Sequence, residues 1–151
     1  MNSFPTGTVT FLFADVEAST KLVQTAGGAY AAVIADVRRL LRDEIAATGG
    51  TEVDATGDEL SAVFEEVQPA LSAALAGQAK IRDHDWPDGL AVKVRMGLHT
   101  GVPHLGEEGY TGLDVIRASR ISSAGHGGQI LLSSTAAPFV AGVETDRKSV
   151  V

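Results

Sequence analysis

The chain has 151 residues, no cysteine, 44% hydrophobic residues and a formal net charge of −7. That length allows one domain with a real hydrophobic core, and the absence of cysteine excludes disulfides and thiolate metal sites. The acidic balance makes a poor general binder of nucleic acid, and no apolar run is long enough to cross a bilayer. No basic, apolar leader pattern opens the chain, so a cytoplasmic protein with no membrane partner is expected.

Residues 1–6 read as a lead-in. The first predicted strand, Thr8 to about Val16, is dense in β-branched and aromatic residues and delivers Asp15 to its C-terminal end. Ser19 and Thr20 are good helix-start residues, and a short helix runs from Ser19 to about Gln24, where Gly27-Gly28 breaks it. Backbone N–H groups at that helix start would point back toward Asp15. Such a carboxylate can hold a metal cation beside a phosphate, or it can simply end the strand and cap the turn. A second helix is predicted from about Ala29 to Ala47, with Val33, Ile34, Val37, Leu40, Leu41 and Ile45 at three- and four-residue spacing; Gly49-Gly50 ends it.

Thr51–Thr56 and Leu60–Phe64 read as two short strands around Gly57-Asp58-Glu59, which places Asp58 at a tight hairpin turn. Pro69 opens a third helix, roughly Pro69 to Arg82, since proline suits the first helical turn. Trp86 follows in a loop and covers one end of the core. Leu90–Gly101 alternates clearly: Val92, Val94, Met96 and Leu98 face one way, Lys93, Arg95 and His99 the other. Residues 102–110 form a hairpin or excursion, Thr111–Ala124 a helix, and Gln129–Leu132 a short inner strand, after which Ser133 or Ser134 caps a last helical turn. The order β-α-α-β-β-α-β-α-β, with one hairpin, predicts an α+β sandwich: a mainly antiparallel sheet with helices packed on one face. The four histidines form no metal cluster, and His99 reads as a structural hydrogen-bonding residue.

Several segments, in order, resemble the catalytic domains of class III nucleotidyl cyclases. They are Val9–Thr20 with Asp15, Thr56-Gly57-Asp58, Val94–Gly101, Tyr110-Thr111-Gly112, Ala118-Ser119-Arg120 and His126–Ser133. The resemblance covers about residues 7–135 of one cyclase homology domain. It implies a ferredoxin-like βααββαβ core, a head-to-tail homodimer or a heteromer, and active sites at the dimer interface. Asp15 and Asp58 match the two aspartates that hold Mg²⁺ or Mn²⁺ on the triphosphate. Arg120 matches the arginine that stabilises charge on the phosphates; its plain alternative is an exposed helix arginine. The backbone of Glu17, Ala18, Ser19 and Thr20 would face the phosphates. The implied substrate is ATP or another purine nucleoside triphosphate, and the implied reaction is attack of the ribose 3′-hydroxyl on the α-phosphate, releasing pyrophosphate.

The sequence departs from that pattern where the base and ribose are read. Asp54 stands where a purine-selecting lysine is usual, and Gly109 falls near the second base-selecting position. Ile116 replaces the ribose-positioning asparagine, and Glu59 follows Gly57-Asp58 where glycine is common. Isoleucine neither donates nor accepts a hydrogen bond, and lysine to aspartate exchanges a donor cation for an anion. Asp114, in the first turn of its helix, fits ordinary dipole reasons better than catalysis. The family's domains usually continue with another strand pair, whereas only residues 136–151 follow the core here, so that pair is expected to be truncated. Two functions remain open: a divergent cyclase, weak or inactive as a homodimer, or a non-catalytic module that dimerises, binds nucleotide or regulates a partner. A plain binding fold with accidental matches is the third alternative.

Overall fold

A computed structural model of the chain describes residues 4–17 and 20–139, with the side chains of Thr20 and Lys21 left aside. Strand β1 (Val9–Val16) is the centre of the molecule, and all eight of its residues are buried. It pairs antiparallel with β3 (Glu59–Phe64) on one side and with β4 (Val94–Gly101) on the other. Strand β2 (Thr51–Thr56) adds antiparallel to β3, and β7 (Ile130–Leu132) adds parallel to β4, giving the order β2-β3-β1-β4-β7. A separate hairpin joins β5 (His104–Gly106) to β6 (Gly109–Thr111), filling the predicted excursion.

The period-two pattern of β1 explains why it is central. Leu12, Ala14 and Val16 join a large core with Val33, Val37 and Leu41 of α2 (Tyr30–Ala47) and with Ala70, Leu71 and Ile81 of α3 (Val67–Asp83). Val9, Phe11 and Phe13 point the other way, into a smaller core with Val63 and Ala118. Ala118 belongs to α4 (Leu113–Ser123). The predicted arrangement on one face therefore holds for α2 and α3, and for the short α1 (Thr20–Ala26) through Leu22. Helix α4 lies on the opposite face. Gly97 of β4 makes that possible: a Cβ there would meet the Ser122 backbone nitrogen at 2.6 Å.

Element ends differ from the sequence reading for identifiable reasons. Strand β4 starts at Val94 rather than Leu90 because Val16↔Val94 is the last pair that β1 can make. Helix α3 starts at Val67, whose side chain enters the core, and Pro69 falls in its first turn. Gly27–Ala29 does not break the chain but makes one 3₁₀ turn that leads directly into α2. Trp86 is buried and donates from Nε1 to the Ile81 carbonyl at 2.9 Å. Ser133 accepts the N–H groups of Ala136 and Ala137 through its carbonyl, while its hydroxyl turns to His99 instead of capping. The expected truncation of a further strand pair concerns a segment mostly outside the described residues. No helix among them is long and apolar enough to cross a membrane.

Candidate metal and nucleotide site

Asp15 stands one residue before the end of β1, directly between Glu59 of β3 and Arg95 of β4. Directly opposed residues on neighbouring strands share a face, so these three side chains form a row. Arg95 uses the row fully. Its Nε donates to Asp15 Oδ1 and its Nη2 to Oδ2, both at 2.9 Å. The pair is largely buried, with side-chain exposures of 28% for Arg95 and 11% for Asp15. A two-pronged contact of this kind is the strong form of arginine–carboxylate bonding.

Asp58 reaches the same place by another route. The β2–β3 turn is tight because Gly57 takes φ +58°, in the region that favours glycine. The Val16 N–H then donates to the Asp58 carbonyl at 3.2 Å, which ties the turn to the end of β1. Asp15 and Asp58 line one crevice, too narrow to hold a water molecule. Among the described residues the Asp58 carboxylate has no hydrogen bond or ion pair. Glu59 adds a third carboxyl group, which burial first, and then the charges of Asp15, Asp58 and Asp54, push above the usual carboxylate range.

Could these residues hold a divalent cation? The donors are hard carboxylate oxygens, the type that Mg²⁺ and Mn²⁺ take. Neighbouring negative charges repel each other, which favours a cation between them. No group of three or more His, Cys, Asp or Glu among the described residues is arranged to hold an ion alone. By donor type, Asp15 and Asp58 could at most supply two carboxylates to a cation that other oxygens complete, as Mg²⁺ sites commonly are.

The remaining predicted positions fall elsewhere. The Glu17 N–H donates to the Lys93 carbonyl at 2.8 Å, so it is not free for a phosphate as expected. Ala18 and Ser19 lie outside the described residues, and Thr20 begins α1. Arg120, in the last turn of α4, makes no side-chain hydrogen bond or ion pair among the described residues. It opens onto a cleft of about 470 Å³ with Arg117, Ser134 and Thr135, which neither Asp15 nor Asp58 lines. Asp54 is exposed on β2, where its carboxylate accepts from the Ala55 N–H at 2.9 Å and the Thr56 hydroxyl at 3.2 Å. Gly109 pairs with Gly106 at the turn end of the β5–β6 hairpin. Ile116 is half exposed on α4.

His99 is the structural residue expected. It is buried, donates from Nε2 to Asp114 Oδ1 at 2.8 Å, and shares a hydrogen bond between Nδ1 and the Ser133 hydroxyl at 2.9 Å. Asp114 also accepts from the Val102 N–H at 3.0 Å. The His99 hydrogen bond, reinforced by that N–H, holds Asp114 below the usual carboxylate range against the opposing effect of burial. Asp114 thus locks α4 to β4.

The family model of the adenylate and guanylate cyclase catalytic domain matches residues 1–149. The chain belongs to this family. An uncharacterized protein of Mycobacterium tuberculosis is 35% identical over 140 residues, which cover 91% of this chain and 47% of the relative. The chain thus spans about half the length of that relative. An adenylate cyclase of Podospora anserina is 33% identical over 156 residues, 86% of this chain and 7% of its own length. Among solved structures, an adenylate cyclase from Trypanosoma brucei in its monomeric state matches with a TM-score of 0.82 at 22% identity, over 91% of this chain and 78% of that one.

In this cyclase domain, sequence reasoning missed two cations at the aspartates. Arg95 had a visible signal, since it sits on the polar side of an alternating strand beside a strand ending in Asp15. The other is Arg38 of α2, which donates from Nη2 to the Gly57 carbonyl and, at 3.5 Å, to that of Glu59. Nothing in the spacing of α2 announces that contact.

Proposed function

We propose that this cyclase domain keeps the metal-and-triphosphate half of a class III nucleotidyl cyclase site and has lost the half that reads the base and ribose. It would act on ATP, giving cyclic AMP and pyrophosphate, but weakly or not at all as a homodimer. The observation that carries this reading is the Asp58 carboxylate, which has no hydrogen bond or ion pair among the described residues, in a residue that lines one crevice with Asp15. Asp15 and Asp58 are the residues that would hold Mg²⁺ or Mn²⁺. A cation bound there would acidify the ribose 3′-hydroxyl and neutralise the leaving group.

The chain's own groups then divide the work. Arg95 holds Asp15 before a cation arrives and has to release it. Arg120 faces a different cleft, which supports a head-to-tail pair in which it acts on a triphosphate held by the other chain. Asp54 and Ile116 stand at the base- and ribose-facing positions of the family. An anion in place of a lysine repels a polyanionic nucleotide, and each lost polar contact is worth about 10²-fold in rate. Two such losses favour the second reading: a chain that turns over little alone, and that dimerises with or regulates a partner supplying the missing lysine and asparagine.

The test is cyclic AMP formation from ATP and Mn²⁺ by purified, folded protein against an Asp15→Ala control. Product that disappears in the control supports a working cyclase whose base pocket is rebuilt. No product, with Mn²⁺-dependent nucleotide binding retained, supports the half-site reading. Neither product nor Mn²⁺-dependent binding sinks both.

A further inference from the structure

Helix α2 presents Tyr30, Ile34, Arg38 and Arg42 at four-residue spacing, which makes one stripe along the helix. That stripe lies against the β2–β3 hairpin. Arg42 braces the strand, donating to Glu52 from Nε at 2.5 Å and from Nη2 at 3.2 Å. Arg38, one turn earlier, does not seek a carboxylate. Its Nη2 donates to the carbonyls of Gly57 and Glu59, the two residues that flank Asp58. Its Nε–H is buried without an acceptor among the described residues. Burying part of a guanidinium without a partner is costly, so the side chain is held where it is by what its other nitrogen grips. Arg38 also lines the crevice shared by Asp15 and Asp58.

We propose that Arg38 is a positioning residue for Asp58: by clamping the carbonyls on either side, it fixes the turn and leaves the Asp58 carboxylate unpaired beside Asp15, ready for a divalent cation. The inference rests on the metal reading given above, and it adds the element that aims the second ligand. Groups that orient metal ligands change affinity by about 10- to 100-fold when removed. The clamp is anchored on the far side as well, because the Val16 N–H donates to the Asp58 carbonyl. The turn is thus held between the end of β1 and the middle of α2.

Two measurements separate the clamp from the metal. The first is hydrogen exchange at the Val16 amide in metal-free protein, which reads the turn alone. The second is Mn²⁺ binding, followed by the electron paramagnetic resonance of free Mn²⁺. Arg38→Met keeps the volume and removes the donors. It should speed Val16 exchange about tenfold while leaving mid-strand amides such as Leu12 unchanged, and weaken Mn²⁺ about tenfold. Arg38→Lys, which keeps a cationic donor, should recover part of both losses. Arg42→Met, which removes the neighbouring brace, should leave Mn²⁺ affinity within about twofold of the parent. Unchanged Val16 exchange in Arg38→Met overturns the clamp whatever the metal does. Faster exchange with unchanged Mn²⁺ affinity, or a lysine variant no better than methionine, overturns the positioning role. If the parent protein binds Mn²⁺ no better than an Asp15→Ala/Asp58→Ala double variant, the metal reading fails and the positioning role goes with it. Arg38 is then only a brace.

Discussion

Replacing Arg95 with methionine tests the crevice at its most buried contact. The substitution keeps most of the apolar stem and removes both hydrogen bonds to Asp15. Breaking one side of a fully buried ion pair costs about 3–5 kcal/mol, because the other charge is stranded. Here the arginine is 28% exposed. Water reaches part of the pair, and about 2–3 kcal/mol is the fitting range. For a chain of this size, 1 kcal/mol moves Tm by about 2–4 °C, so Arg95→Met should melt about 5–10 °C lower in EDTA. The loss should then shrink when Mn²⁺ is added, since a divalent cation can take the place the guanidinium left. Mn²⁺ at about 100 times its dissociation constant adds about 2.7 kcal/mol, close to the whole deficit. The parent should gain less, because there the ion must first displace Arg95. Thermal melts of both proteins in EDTA and in Mn²⁺, at matched ionic strength, read the two effects. An Asp15→Asn/Arg95→Met double variant should be more stable in EDTA than Arg95→Met alone, since no stranded carboxylate remains. Equal Mn²⁺ shifts in parent and variant, or no loss in EDTA, would refute the reasoning.

Three other expectations follow from single contacts. Asp54→Lys/Ile116→Asn should raise Mn²⁺-dependent cyclic AMP formation at least about tenfold while changing stability by no more than about 0.5 kcal/mol per site, both positions being exposed; assays of product and of urea unfolding check the two halves. The carboxyl group of Asp114 is held below its ordinary value when folded, so its stabilising contribution is complete above about pH 4 and is lost as pH falls through the lowered value. Asp114→Asn should therefore flatten the acid side of the stability curve measured by urea unfolding, and an unaltered slope would remove the His99–Asp114 lock from the account. Gly97→Ala places a Cβ 2.6 Å and 2.9 Å from the Ser122 backbone nitrogen and Cα, and should cost about 1–3 kcal/mol by pushing α4 off the sheet. Gly28→Ala, where a Cβ meets nothing within 4 Å, is the neutral control in the same denaturation series.

Much of the fold is legible because it is written in local periods. The alternation of β1 and β4, the three- and four-residue spacing of α2 and the Gly57-Asp58 turn each need only a few neighbouring residues to be read. What escaped is nonlocal. The Asp15–Arg95 pair joins residues 80 apart in sequence, and only the register of β1 against β4 sets it. Arg38 meets Gly57 across 19 residues, through the packing of α2 on the hairpin. The placement of α4 on the second face depends on small residues, Gly97, Ala118 and Ser122, meeting at close range. Small residues carry little hydrophobic signal, so the helix reads as amphipathic without saying which face of the sheet it will cover.

The two aspartates are not equal evidence for function. Asp15 sits on the central strand, buried and bound at both oxygens by Arg95. Stability alone would hold it in place, even in a chain that never met a metal ion. Asp58 has no such pairing. Its carbonyl anchors the turn to β1 and the carbonyls on either side of it take Arg38, but its carboxylate makes no hydrogen bond or ion pair among the described residues. Asparagine or serine there would fold as well, because both suit tight turns. Asp54 and Ile116 lie at exposed places where substitution scarcely disturbs the fold. The fold gives the Asp58 carboxylate no hydrogen bond or ion pair among the described residues, and the cation binding proposed above would use it. It is this residue, rather than the more deeply buried Asp15, on which the case for a surviving metal half-site rests.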